Sequence, residues 1–299
     1  MMTYEALRDR APYDLVGVAP PDAFDDLPAD ENPLNLFSAA RSVVVMGKRI
    51  ERGHFRNMEE GSFERGPARW LTDLDDAVRM IEAEGFECVP YLPLDAPNMP
   101  DGPVREGQCA PQAIRPSVEF AAVAAELGVI GYHGMFMSAR YGIRQQLGLL
   151  VTEMEIQPGP GPSTERICDG EDCLACVKEC PLQAISAEEA ITLECGDRGM
   201  RIGSINARAC HACPNGVLAD TNYLAGPAGP GLEAERQGRN DGTVRRFSGG
   251  GLPNRLAAAC GRACIAHFEA THQTEYRTPF RRRKPWGFRP DQEREQASC

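Results

Sequence analysis

Between residues 168 and 181 the chain reads CDGEDCLACVKECP. Cys173, Cys176 and Cys180, followed by Pro181, carry the C-x2-C-x3-C-P spacing of a bacterial four-iron cluster run. The short steps wrap backbone around one cuboidal cluster, so that thiolates reach separate irons while amides approach the sulfurs. The x3 step and the proline turn the chain away, and the last cysteine then serves a second cluster. Cys168 supplies the first ligand through a loop, DGED, two residues longer than the usual step. Such an extension costs roughly a few tenths of a kcal/mol in closure entropy.

A second set of thiols must then exist. Cys210 and Cys213 in ARACHACP, and Cys260 and Cys264 in AACGRACIA, are the candidates. Cys260-x3-Cys264 matches the end of a second motif, although Ala257 stands where a cysteine belongs and no proline follows; Cys213 is the substitute. By the crossover rule, Cys168, Cys173, Cys176 and Cys264 are expected to hold one 4Fe-4S cluster, and Cys180, Cys210, Cys213 and Cys260 the other. Zinc is the competing metal, because CHAC and CLAC are also C-x2-C pairs, but zinc has no reason to use the C-x2-C-x3-C-P run. Cys88 reads as a small core residue in a strand, and Cys195 as a spare for Cys210 or Cys213.

The elements that must position these thiols fall into two unlike parts. RSVVVMG (residues 41–47) is a β-branched run ending in Gly and reads as a buried strand. Trp70, Leu71, Leu74, Val78 and Ile81 recur at helical spacing before Gly85, a helix stop. FECVPYLPL (86–94) reads as a strand broken by its prolines, which therefore lies at a sheet edge or soon leaves the sheet. Pro116 suits the first turn of an Ala-rich helix closed by Gly128, and LGLLVTEMEI (147–156) alternates as a strand. Beyond about residue 163 the periodicity fades, cysteines concentrate, and Gly/Pro stretches separate short helical pieces. We therefore expect a first domain over residues 1–162, a cysteine-rich module over 163–276 that needs its metal for stability, and a basic tail over 277–299.

The 299 residues are 42% apolar, enough for a real core, and no segment approaches the ~18 uncharged apolar residues of a membrane span. Twelve cysteines without a secretory signal argue for metal in a reducing compartment and hence for a cytoplasmic protein. A net charge of -11 opposes tight binding to phosphate backbones. The exception is RTPFRRRKPWGFRP (277–290), with six positive charges and no acid, read either as a solvated tail that docks on the acidic body or as a nucleic-acid grip.

The order of residues 117–156, followed by the cysteine run and PLQAI, resembles the shared core of reductive dehalogenases and epoxyqueuosine reductases. The matching features are Leu127-Gly128, Ile130-Gly131, Gly134, Ser138-Ala139-Arg140-Tyr141-Gly142 and Thr152-Glu153. DLVGVAP (14–20) and SAARSVVVMG (38–47) also look like the N-terminal strands of those families. The resemblance implies an α+β protein: a nitroreductase-like α/β cobalamin-binding domain followed by a ferredoxin-like two-cluster iron-sulfur module. It implies that Gly131, Gly134, Ser138, Arg140, Tyr141 and Gly142 line the corrinoid. It implies further an external low-potential donor such as a ferredoxin or flavodoxin. Tyr132, His133, Tyr141 and Arg115 cluster around that stretch as candidate proton donors. The sequence departs from epoxyqueuosine reductases where their catalytic aspartate lies, since APQAIRP offers Gln112 or Ala113. The helical repeats that bind tRNA in many of them have no room here. The expectation is therefore a reductase that cleaves a carbon-heteroatom bond of a small molecule, with tRNA as the disfavoured alternative substrate and an electron-transfer protein without a substrate as the third.

Overall fold

Val43, Val44, Val45 and Met46 follow one another in sequence and all are fully buried. A strand with no polar alternation must be covered on both faces. In the computed structural model, which describes residues 3–29, 31–59, 74–91, 114, 116–161, 166–180, 182–206, 210, 256, 258–272 and 274–281, this run forms strand β2 (Ser42–Arg49). It lies in a four-stranded antiparallel sheet of order β1-β2-β6-β3, with β1 (Leu15–Ala19), β3 (Cys88–Tyr91) and β6 (Gln145–Thr152). The proline-bearing strand does take an edge, as its composition predicts.

Register sorts the side chains. Val44 faces Val18 on one neighbour and Leu150 on the other, and this layer packs under helices α1 (Tyr4–Arg10) and α3 (Asp75–Glu82). Val43, Val45, Leu149 and Val151 point to the opposite face, onto helix α4 (Val118–Ala124). The predicted helix before Gly85 is present over its described part; Gly85 follows it at φ +86°.

Two sequence expectations for α4 need correction. Ser117, not Pro116, sets the start: its Oγ accepts the Phe120 N–H at 3.1 Å, and the proline lies outside the cap. Glu126, at φ +60°, takes the left-handed position after the helix, not Gly128. Gly128 has a different duty. It lies beside the hairpin of β4 (Val129–Ile130) and β5 (Phe136–Met137), where a Cβ would run into the Met137 carbonyl. Gly128→Ala is expected to lower stability by about 1–3 kcal/mol, the usual cost of overpacking, seen as a lower denaturant midpoint.

The cysteine-rich half is not only short helical pieces. Residues 185–205 form a long hairpin, β7 (Ile185–Cys195) and β8 (Arg198–Ile205), turned at Gly196 with φ +56°. Leu193, Cys195, Met200 and Ile202 carry its apolar face into the same core as α4. Cys195 is thus a core residue, 7% exposed, with its thiol pushed up to about 11 by burial; the spare-ligand expectation gives way to packing. Cys88 is buried in the opposite layer, in line with its reading from sequence.

A third core joins the halves. Ile50 and Phe55, the latter on helix α2 (Arg52–Glu59), meet Met135, Met137 and Ile143 of the hairpin region. Ile265 and Phe268, on helix α6 (Ala259–Thr271), complete it together with Phe280. Among the described residues no helix is long and apolar enough to cross a membrane.

Candidate metal centre

Around the cysteine run only short turns of helix form, because Arg166, Gly170, Leu174 and Gln183 all adopt positive φ. Leu174, at φ +50°, stands between Cys173 and the single turn of α5 (Ala175–Lys178). A left-handed residue costs of order 1–3 kcal/mol when it is not Gly. It lets the chain reverse within the x2 step, so the Ala175 N–H points back at Cys173 Sγ, 3.4 Å away. Helix α5 packs against α6, whose Cys260 and Cys264 lie four residues apart and so on one face.

These elements bring five thiols into one neighbourhood. Burial raises the pKa of Cys264 well above the thiol range, and the charges of Cys168, Cys176, Cys173 and Cys260 add to it. Cys176, 6% exposed, is pushed up to about 12 by burial and then by Cys260, Cys168 and Cys173. Burial chiefly raises Cys173 too, with Cys168 contributing. All four thiols predicted for the first cluster are therefore mutual neighbours. Of the second predicted set, Cys260 stands with them, packed in a small core with Tyr132, Cys176 and Ile185. Cys180 and Cys210 are half-buried, and Cys213 lies outside the described residues.

The donors around the sulfurs indicate the species they suit. Cys168 Sγ accepts from the Tyr132 and Gly170 N–H groups, each at 3.4 Å, and Cys180 Sγ from Ala184 N–H at 3.2 Å. His133 Nε2 lies 3.0 Å from Cys264 Sγ. A neutral thiol is a weak acceptor, whereas a thiolate sharing its charge with iron is a good one, so this donor set fits an iron-sulfur cluster. Among the described residues no three His, Cys, Asp or Glu side chains are grouped to hold a single metal ion.

Other contacts fix the loop. His267 Nε2 pairs with Asp169 Oδ2 at 2.7 Å, and His272 Nε2 lies 2.8 Å from the Arg166 carbonyl oxygen, tying α6 to both sides of Cys168. A cavity of about 300 Å³, lined by Cys173, Ala175, Lys178, Glu179, Ala263, Ala266 and His267, opens between α5 and α6.

The segment from 131 to 142 lies against this centre. Its tip, a turn closed by Gly134 N–H to the Gly131 carbonyl at 2.8 Å, presents Tyr132 N–H and the His133 ring to two cysteines. Tyr132 donates its hydroxyl to the Ser186 carbonyl at 3.1 Å. Ser138 donates to Gln145 Oε1 at 2.8 Å and exchanges backbone bonds with Gly142, whose φ is +56° and whose missing Cβ leaves room for Phe268. Tyr141 is 2% exposed; burial first, and Asp14 next, raise its hydroxyl pKa, while Arg140 stacks over its ring. These residues, with Gly131 and Gly134 also buried and Arg140 alone exposed, are occupied with protein and do not fit a corrinoid face. Tyr132 and His133 have their polar atoms engaged by Ser186, Met135 and Cys264, so neither meets the expectation of a poised proton donor. Arg115 lies outside the described residues. Sequence reasoning missed the imidazole contact, because its partners are 131 residues apart and no spacing rule links them.

No family model matches the chain, and no curated protein matches it. Solved structures similar to it include an epoxyqueuosine reductase from Streptococcus thermophilus, at 16% identity and TM-score 0.39, covering 60% of this chain and 51% of that one. An epoxyqueuosine reductase with an epoxyqueuosine-modified tRNA-Tyr stem loop is 14% identical at TM-score 0.42, covering 89% and 80%. The enzyme from Bacillus subtilis, with its catalytic loop swung out of the active site, is 14% identical at TM-score 0.41, covering 87% and 79%. The chain spans about half the length of the Streptococcus thermophilus protein. With identities and TM-scores this low, the functional reading rests on the residues of the site.

Proposed function

We propose that the chain is an iron-sulfur oxidoreductase of a reducing compartment, the cytoplasm. Cys168, Cys173, Cys176 and Cys264 would hold one 4Fe-4S cluster, and Cys180, Cys210, Cys213 and Cys260 the other. The observation that carries this reading is the gathering of Cys168, Cys173, Cys176, Cys260 and Cys264 into one group, with Cys176 buried and the others partly so, in which Cys168, Cys173 and Cys264 have N–H groups beside their sulfurs. Bound clusters supply single electrons at low potential. The chain's own part is to hold the thiolates, exclude water from Cys176 and Cys264, and leave Cys173 at the cavity between α5 and α6, where a ferredoxin or flavodoxin approaches. The reaction we propose is reductive cleavage of a carbon-heteroatom bond in a small molecule.

Cobalamin, within a nitroreductase-like domain, is the acceptor that the family resemblance implies. No step is assigned to it here, since the described residues of the 131–142 segment offer it no face. Anaerobic reconstitution with iron and sulfide, followed by metal analysis and visible spectra with and without cobalamin, tests the reading. We expect about eight iron atoms per chain and broad cluster absorption. Zinc in place of iron would sink the proposal, and a retained corrinoid band would restore the cobalamin step.

The alternative substrate, epoxyqueuosine in tRNA, goes better than a small molecule with the names of the similar structures. Its grip would be the basic tail. Removing residues 282–299 deletes Arg282, Arg283, Lys284, Arg289 and Arg294. On the tRNA reading, the slope of log affinity against log salt shallows by ~0.7–0.9 for each lost phosphate contact. On the small-molecule reading it stays unchanged.

A further inference from the structure

His133 lies at the tip of the β4–β5 hairpin, 1% exposed. The Met135 backbone N–H donates to its Nδ1 at 3.1 Å. A backbone N–H only donates, so Nδ1 holds the lone pair and the proton of the neutral ring is on Nε2. That nitrogen is the one 3.0 Å from Cys264 Sγ. The pose is prepared by the turn: a Cβ on Gly131 would come to 3.0 Å from His133 Cε1, so glycine leaves the ring its place. Gly134, at φ +73°, lets the chain come back so that Met135 can reach Nδ1. The main-chain donors to Cys168 and Cys173 are longer, at 3.4 Å; Gly170 and Ala175 belong to the loop itself, and Tyr132 to the same hairpin tip as His133. His133 is a side-chain donor sent from the first domain to a sulfur of the second.

We infer that His133 is a positioning residue for electron transfer, donating its Nε2–H to Cys264 Sγ and so raising the reduction potential of the cluster that Cys264 binds. The inference rests on the iron-sulfur reading above. One electron passes from a one-electron carrier of low potential into the cluster; the carrier is oxidised, the cluster reduced, and the proton stays on Nε2. Negative charge on the sulfurs grows in that step. A donor aimed at one of them therefore stabilises the reduced form more than the oxidised one. The same contact couples the β4–β5 hairpin to the redox state of the centre, because the bond tightens when the electron arrives.

The test uses the full reconstituted chain and titration with dithionite followed by electron paramagnetic resonance. His133→Asn keeps an acceptor for the Met135 N–H but falls short of the sulfur, whereas His133→Gln reaches it with an amide N–H. In the Asn variant we expect the reduction equilibrium of one cluster to shift about tenfold toward the oxidised form, a potential lower by about 59 mV for one electron. The other cluster should be unmoved and the Gln variant close to wild type. If the Asn variant loads no cluster, the Gln variant decides: a wild-type potential supports the inference and a shifted one overturns it. Equal shifts in both variants, equal shifts in both clusters, or no shift at all would overturn it. Metal analysis keeps the two readings apart. Wild-type protein without iron removes the cluster reading and this inference together, while full iron with an unmoved Asn variant removes only the role of His133.

Discussion

Cys176→Ser protein, reconstituted beside wild type, is expected to hold about four iron atoms per chain where wild type holds about eight, and to lose electron transfer to any acceptor. Cys176 has the position with the least substitute. Its thiol is 6% exposed, walled by Tyr132 and Ile185, and pushed up to about 12 by burial before the neighbouring thiols add their charge. Iron must displace a tightly held proton there, and it does so because sulfur is a strong enough ligand. A serine hydroxyl in the same buried place is a far weaker acid and keeps its proton. Cys88→Ser and Cys195→Ser are the controls. Both lie in apolar layers away from the centre, so the iron content stays at the wild-type value while stability falls by about 1–3 kcal/mol for the buried hydroxyl. Full iron in the Cys176 variant, or loss of iron in the controls, would refute the assignment of ligands.

The second large effect is structural and lies on the far side of α6. Glu269 has a fully buried side chain between Arg52, at 3.1 Å, and Arg144, at 3.5 Å. Arg144 is itself 2% exposed and donates to the Ile50 carbonyl at 2.8 Å, while Arg52 donates to the Thr278 carbonyl at 2.9 Å. Tyr276 lies under both guanidiniums, and Phe280 packs edge-on to Phe55. Burial raises the Glu269 pKa in spite of both cations. The site is thus one in which desolvation is large and the two cations offset only part of it. Glu269→Ala leaves a buried guanidinium uncompensated, and we expect a loss of about 3–5 kcal/mol, a large part of the ~5–15 kcal/mol that holds a typical domain. Replacing both charges, as Arg144→Met with Glu269→Leu, should cost less than Glu269→Ala alone, because the desolvation penalty goes with them. Denaturant midpoints measure both effects; a single variant within 1 kcal/mol of wild type would dismiss the clamp. Since α6 also bears Cys264, iron should leave the Glu269→Ala protein faster under a chelator.

The parts of this architecture that local chemistry dictates were readable from the residues. The β2 run, the edge position of the proline-bearing β3, the Gly85 stop and β6 all follow from side-chain pattern and backbone restriction within a few neighbours. The C-x2-C-x3-C spacing pointed to Cys168, Cys173 and Cys176 as neighbours; in the fold Cys264 stands near them, and so does Cys260, which the crossover rule gave to the other cluster. The β7–β8 hairpin follows the alternation of Ile191, Leu193 and Cys195 before Gly196-Asp197, but the cysteine in that pattern was held as a spare ligand and not as an apolar residue. What could not be read were contacts between distant segments that obey no spacing. His133 with Cys264, Asp169 with His267, and Glu269 with Arg52 and Arg144 depend on how three separate layers meet. The 131–142 stretch was legible as a special turn, yet its glycines serve close packing on α6 and on the imidazole, where the resemblance implied a ligand-lining surface.

The separation in sequence of the centre's thiols sets an order in time. The sheet, the hairpin tip and the thiols at 168, 173 and 176 all leave the ribosome before α6 is made. A chain emerging at ~5–20 residues per second makes Cys168, Cys173, Cys176 and Cys180 several seconds before the helix that brings Cys264 and Glu269. Docking of α6 brings Cys264 to those thiols and the Glu269 carboxylate to Arg52 and Arg144, so the helix that completes the thiol group is also the one its ion pairs fix in place.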